Sequence, residues 1–215
     1  MPVSSIMLIA GIAIVIVIII IIWSVSHKGS NKTPVGCSST GGRGGNGGGK
    51  ALAPLHLIKR GEQGDIQAQK ELGYIYATGA NRVRRNLVEA LEWYEKAAKR
   101  GDAEAQNAAG TLYAKGGDGI MQHHRKAAAW YEKAAEKGLT QGQINYGTLF
   151  EYGQGVIKSY ITAYMWYTLA FDHADSETKD LLNEKTKTIA RSMTQEQIME
   201  ARKRANDWRN GIRNA

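Results

Sequence analysis

The chain repeats itself at a spacing near 37 residues, and this constrains its fold more than any other feature. Trp93-Tyr94, Trp130-Tyr131 and Trp166-Tyr167 fall in register. So do Gly73, Gly110 and Gly147, and Gln69, Gln106 and Gln143. Small residues recur at Ala68, Ala105 and Gly142, large aromatics at Tyr76, Tyr113 and Phe150, and turn glycines at Gly79, Gly116 and Gly153. A period in this range, holding so many residue classes in phase three times, predicts stacked helical hairpins.

The residue types fit that arrangement. Glycine inside a helix costs up to about 1 kcal/mol relative to alanine, so its recurrence in each first helix predicts close contact with a neighbour. The second helices carry the aromatic pair followed by small residues, Ala97-Ala98 and Ala134-Ala135. Rings from one helix can fill the space that small residues leave on another. Gly101-Asp102 separates one helix from the next; glycine suits the stop and Asp102 can cap the new start.

These residues resemble the Sel-one-like repeat family, relatives of the tetratricopeptide repeats. The pattern is carried by AQKELGYIYATG and EALEWYEKAAKRG in Gly64–Arg100, and by AQNAAGTLYAKG and KAAAWYEKAAEKG in Gly101–Lys137. A third copy from Gly138 reads GQINYGTLFEYGQGV and TAYMWYTLAFD, departing from the pattern where KAA becomes TLAFD. The resemblance spans roughly Leu55–Trp208. It implies an all-α, right-handed α-solenoid that scaffolds protein complexes, with three repeats over residues 64–172. Some cysteine-rich relatives are linked to β-lactam binding or hydrolysis, but their paired cysteines have no counterpart here, where Cys37 is the single cysteine.

Before the repeats, Ile6–Val25 is almost entirely apolar. As a helix it would be about 30 Å long, the thickness of a bilayer core, and Trp23 sits where an interfacial anchor would. Residues 1–25 are therefore expected to form a single membrane-spanning helix. A cleaved signal peptide fits less well, because Met1–Ser5 has no basic side chain and no small-residue cleavage site closes the run. Residues 26–50, with their GGRGGNGGGK core, cannot bury an apolar face and read as a flexible linker. Residues 51–63 align with the tail of a second helix and are expected to cap the first repeat.

Charge bears on topology. The net charge is +8, but Lys28, Lys32, Arg43 and Lys50 supply half of it, leaving 24 basic against 20 acidic residues beyond position 50. The basic flank follows the apolar segment, which favours a cytoplasmic repeat domain. The family resemblance pulls the other way, since many bacterial members with such a segment work in the envelope. A bacterial inner-membrane protein with its repeats slightly favoured on the cytoplasmic side is the resulting expectation.

Residues 173–215 read as two closing helices and a basic tail. Asp175 or Ser176 can cap the first, and Thr194 with Gln197 has the capping-box spacing for the second. Ile198, Ala201, Ala205 and Trp208 would share one face.

Two groups are candidates for partner contact. The inner surface of such solenoids is lined by first helices, which nominates Gln69, Gln106, Asn107, Gln143 and Asn145; the glutamines could equally bridge helices. Arg82, Arg84 and Arg85 form the strongest basic cluster and could meet an acidic partner, lipid headgroups or nucleic acid. Nucleic acid is not expected from so small a charge excess. His123-His124 has no third ligand at metal spacing, and no nucleophile–base set or phosphate-binding loop stands out. No cofactor, small-molecule substrate or enzyme activity is expected. Tyr94, Tyr131 and Tyr167 are expected to be more open than the adjacent tryptophans. The sequence thus points to a membrane-anchored interaction scaffold; the alternative is a surface-binding module for glycan, lipid or nucleic acid.

Overall fold

The computed structural model describes residues 53–211. The expected membrane span and the glycine-rich linker lie outside these residues. No helix among the described residues is long and apolar enough to cross a membrane.

Nine α-helices account for the described chain. α1 covers Leu55–Glu62. Three hairpins follow: α2 (Ile66–Thr78) with α3 (Leu87–Lys99), α4 (Ala103–Lys115) with α5 (His124–Glu136), and α6 (Thr140–Tyr152) with α7 (Tyr160–Phe171). α8 (Ser176–Ala190) and α9 (Gln195–Arg209) close the chain. A short 3₁₀ turn, Ala80–Arg82, interrupts the first hairpin loop.

Local signals set these boundaries. Asp65 accepts hydrogen bonds from the Gln67 and Ala68 N–H groups at the start of α2, and Asp102 accepts from Ala105 N–H at 2.8 Å at the start of α4. Asn86, His123 and Ser159 cap the second helices in the same way. Gly64, Gly101 and Gly138 stand at φ of 90°, 90° and 80° between successive helices, a region that disfavours any Cβ. Asp175 rather than Ser176 caps α8. Thr194 and Gln197 form a reciprocal capping box at α9.

Packing couples each hairpin to the next. α1 lays Leu57 against Leu72 and Trp93, burying the outer face of the first repeat. Gly61 makes this approach possible, because a Cβ there would lie 2.9 Å from both Leu72 Cδ1 and Trp93 Cζ3. Further along, Ala97, Ala98 and Ala105 form a tight seam against Tyr94 and Trp130. The first two tryptophans each carry a lysine one turn on: Lys96 Nζ lies 3.7 Å from the Trp93 ring centre, and Lys133 Nζ lies 4.7 Å from that of Trp130. The third repeat has Leu169 at that position. There Trp166 meets Trp208 of α9 edge-on, with centroids 5.0 Å apart, and Tyr146 at 5.3 Å. The closing helices also bury Leu182, Ile189, Ala201 and Ala205 almost completely. Full burial of a leucine alone contributes roughly 1.5–3 kcal/mol.

Candidate functional site

The three first helices stand side by side. Lys70 Nζ of α2 lies 3.1 Å from Asp102 Oδ2 and 2.6 Å from Glu104 Oε2, joining α2 to the start of α4. The hydrogen bond to Glu104 leads in holding the lysine above its ordinary pKa, against the opposing effect of burial. Asn145 Nδ2 of α6 donates to Asn107 Oδ1 of α4 at 2.8 Å, and Gln141 Nε2 donates to Asn145 Oδ1 at 3.0 Å. A continuous polar face results.

The repeat glycines determine what this face displays. A Cβ on Gly73 would lie 2.7 Å from Tyr94 Cδ1, one on Gly110 2.7 Å from Tyr131 Cδ1, and one on Gly147 2.8 Å from Tyr167 Cε1. Each second-helix tyrosine therefore lies directly against the backbone of its first helix. The residue after each glycine then meets the hydroxyl end of the ring. Tyr131 Oη donates to Thr111 Oγ1 at 3.1 Å, and Tyr167 Oη lies 3.1 Å from Thr148 Oγ1. In the first repeat this position is Tyr74, which is 57% exposed. A hollow of about 410 Å³ opens here between α2 and α4, lined by Lys70, Glu71, Tyr74, Tyr94, Glu104 and Ala108 among others.

The face is closed at its far end by a polar knot. Tyr167 Oη donates to Glu151 Oε2 at 2.5 Å, and Lys185 Nζ of α8 lies 3.3 Å from the same oxygen. Burial, reinforced by the bond to Glu151, pushes the Tyr167 hydroxyl far above its usual pKa. Among the described residues no group of three or more His, Cys, Asp or Glu gathers at metal-binding geometry.

Three of the eight candidate contact residues are withdrawn by burial. Gln69, Gln106 and Gln143 are only 3–4% exposed. Their Nε2 groups donate to the Gly61, Ala98 and Ala135 carbonyls at 2.8, 3.0 and 3.3 Å. They clamp the end of the preceding helix, the bridging role that the sequence left open, and are unavailable to a partner. Asn107 and Asn145 are half-buried on the first-helix face, bonded to each other. Arg82, Arg84 and Arg85 are exposed on the first hairpin loop, where Arg85 pairs with Asp118 of the next loop at 3.1 Å.

The expectation of open tyrosines is corrected as well. Tyr131 and Tyr167 are 5% and 0% exposed, because the glycine opposite draws each ring inward. Tyr94 remains half-buried. Sequence reasoning missed Tyr74, Thr111 and Thr148. Their signal was present as the residue following each repeat glycine.

The Sel1 repeat family model matches residues 66–102, 103–139 and 140–175, just over half of the chain. Among solved structures, a Sel1 repeat protein from Oxalobacter formigenes is 37% identical over 57% of this chain and 50% of its own, with a TM-score of 0.53. A protective antigen of uropathogenic Escherichia coli strains, described as displaying an SLR fold, is 26% identical over 72% of this chain and 40% of its own, at a TM-score of 0.42. Helicobacter pylori cysteine rich protein B is 20% identical over 62% of this chain and 99% of its own, at 0.47. The chain thus spans half the length of the first of these structures and less of the second. No curated protein matches it.

Proposed function

Because the chain belongs to the Sel1 repeat family, we propose that it is a membrane-anchored scaffold that holds a protein partner against the face of α2, α4 and α6. Sel1 repeats generally mediate protein–protein interactions and typically serve as noncatalytic scaffolds. The observation that carries the reading is the row of Tyr74, Thr111 and Thr148. The first-helix glycines and glutamines are consumed by packing; of this row, Thr111 and Thr148 are half-buried with their hydroxyls bonded to Tyr131 and Tyr167, while Tyr74 and the hollow beside it remain accessible. A partner helix or extended segment can lie along such a face, its side chains meeting one repeat after another.

The anchoring part rests on the apolar run Ile6–Val25 and the glycine-rich stretch after it. A flexible chain of 25 residues has a typical span of roughly 25–30 Å, enough to hold the repeats near a bacterial inner membrane without fixing their orientation. The basic flank favours the cytoplasmic side. Paired reporters fused after Ala215, one active only inside and one only outside, test that side.

The scaffold reading is tested in the full chain with a photocrosslinking residue at Tyr74 or Ala108, and a control at Leu181, which is 51% exposed on α8. A discrete crosslinked species from positions 74 and 108 and none from 181 is expected. Equal yield from all three positions would refute the assigned face.

A further inference from the structure

The loops joining first to second helices form one edge of the repeat array. Consecutive loops touch: Arg85 pairs with Asp118, a Cβ on Gly119 would lie 3.0 Å from Val88 Cγ2, and one on Gly155 would lie 2.5 Å from the His124 carbonyl carbon. Along this edge, loops and first turns of the second helices together, Arg82, Arg84, Arg85, Arg125, Lys126 and Lys158 stand against two acidic residues, Asp118 and Glu89. All six basic residues are exposed. The opposite edge has no such bias. Its turns mix Lys99 and Arg100 with Asp102 and Glu104, and the connection from α7 to α8 carries Asp172, Asp175 and Glu177, with Arg209 of α9 paired to Asp172 at 2.7 Å.

The basic edge also holds the two most exposed large hydrophobic residues among those described. Met121 is 87% exposed and Ile157 is 89% exposed, each on the returning segment of its loop two residues before the cap of the second helix. Nothing in the fold uses either side chain. Exposed apolar side chains on an edge rich in arginine and lysine are what a surface needs to sit on anionic lipid. The cations meet the headgroups, and the apolar groups enter the acyl boundary. An acidic protein would satisfy the cations and leave both apolar side chains in water or require a matching pocket for each.

We infer that this loop edge docks on an anionic membrane surface, with Met121 and Ile157 as insertion points and Arg82, Arg84 and Lys158 among its electrostatic contacts. The anchor proposed above would bring the edge within reach of lipid, and the edge's charge and apolar side chains do not depend on it. Docked in this way, the array has a defined orientation, with the C-terminal ends of α2, α4 and α6 at the lipid.

The test uses the full chain in lipid nanodiscs, made of phosphatidylcholine alone or mixed with phosphatidylglycerol. Cys37→Ser removes the native thiol. A fluorophore is attached at Gln154→Cys on the basic edge, or at Lys137→Cys on the opposite edge, and lipid-borne nitroxide reports proximity. Co-elution with both disc types together with strong quenching at 154, weak quenching at 137, and loss of the contrast in neutral discs is the expected result. Each basic residue near an anionic surface contributes roughly a fivefold factor. Reversing Arg82, Arg84 and Lys158 to Glu should therefore lower the docked-to-free ratio by about a hundredfold or more, with circular dichroism unchanged. Met121→Asp with Ile157→Asp should weaken docking even with all cations present. Co-elution with both discs but equal quenching at 154 and 137 overturns the docking edge and leaves the anchor standing. Co-elution with anionic discs alone, quenched at 154, supports the edge and removes the anchor. Co-elution with neither overturns both.

Discussion

Gly110→Ala is the most exacting test of how the repeats are held together. On helix propensity alone the substitution is favourable, since alanine exceeds glycine by about 1 kcal/mol in a helix interior. The structure reverses the sign. The new Cβ would lie 2.7 and 2.8 Å from Tyr131 Cδ1 and Cε1, and 3.3 Å from the Ala127 carbonyl oxygen. Tyr131 is 5% exposed, and its hydroxyl is tied to Thr111, so the ring has little freedom to retreat. Overpacking of this kind costs about 1–3 kcal/mol, and losing the hydroxyl bond adds about 0.5–1.5 kcal/mol. Offset by the propensity gain, the net destabilisation is about 1–3 kcal/mol. For a folded region of this size each 1 kcal/mol shifts Tm by about 2–4 °C. Urea unfolding followed by far-UV circular dichroism would report it as a lower midpoint. The double-mutant cycle carries the discrimination. In a Tyr131→Ala background, where the ring is gone, Gly110→Ala should become neutral or stabilising. If alanine at 110 raises the midpoint of the otherwise unchanged protein, or lowers it equally in both backgrounds, the glycine does not exist to admit the ring.

Three further perturbations address other parts of the array. Gln106→Leu removes the bond to the Ala98 carbonyl and should lower stability by about 1–3 kcal/mol; crosslinking from position 74 should survive it, which separates clamp from contact. Trp208→Ala strips the cover from Trp166, with an expected loss of about 2–4 kcal/mol and a red-shifted tryptophan emission; an unchanged spectrum would show that α9 does not seal the last repeat. Burial and the bond to Glu95 push the Tyr113 hydroxyl up to about 12. Because the folded state keeps a proton that the unfolded chain releases near pH 10, this stabilisation is complete below about pH 10 and is lost as pH rises toward 12. Tyr113→Phe should make the alkaline decline of the urea midpoint shallower, and an unchanged slope would contradict the assignment.

Much of the architecture was legible because each repeat position performs one packing task. The glycine at 73, 110 and 147 announced a close approach, and the aromatic found there is the tyrosine of the next helix. The burial of individual side chains was less legible. Adjacent residues on a helix point about 100° apart, which predicts an inward Trp and a more open Tyr; that holds for Trp93 and Tyr94 but not for Tyr131 and Tyr167, which are buried. It fails at those two positions because the glycine opposite draws the second ring inward too. The glutamines were ambiguous for a different reason: position 69 lies between the buried face and the polar face, and only the distance to the Gly61 carbonyl decides. Lys96 and Lys133 repeat as visibly as the tryptophans they cover. Their absence at Leu169 was the signal that Trp166 would find another partner. The pairing of Glu151 with Lys185 left no periodic trace, since each occurs once. The docking edge was half visible: the arginines stood out, whereas Met121 and Ile157 are isolated apolar residues whose exposure depends on the loop around them.

The replacement of lysine by leucine after the third tryptophan also says where such an array can grow. A duplicated hairpin placed between α5 and α6 would find a lysine-covered tryptophan on one side and a first-helix glycine with its glutamine clamp on the other. The same hairpin placed after α7 would have to displace Trp208 from Trp166 and separate Glu151 from Lys185. Lengthening is therefore open in the middle of the chain and blocked at its closing end.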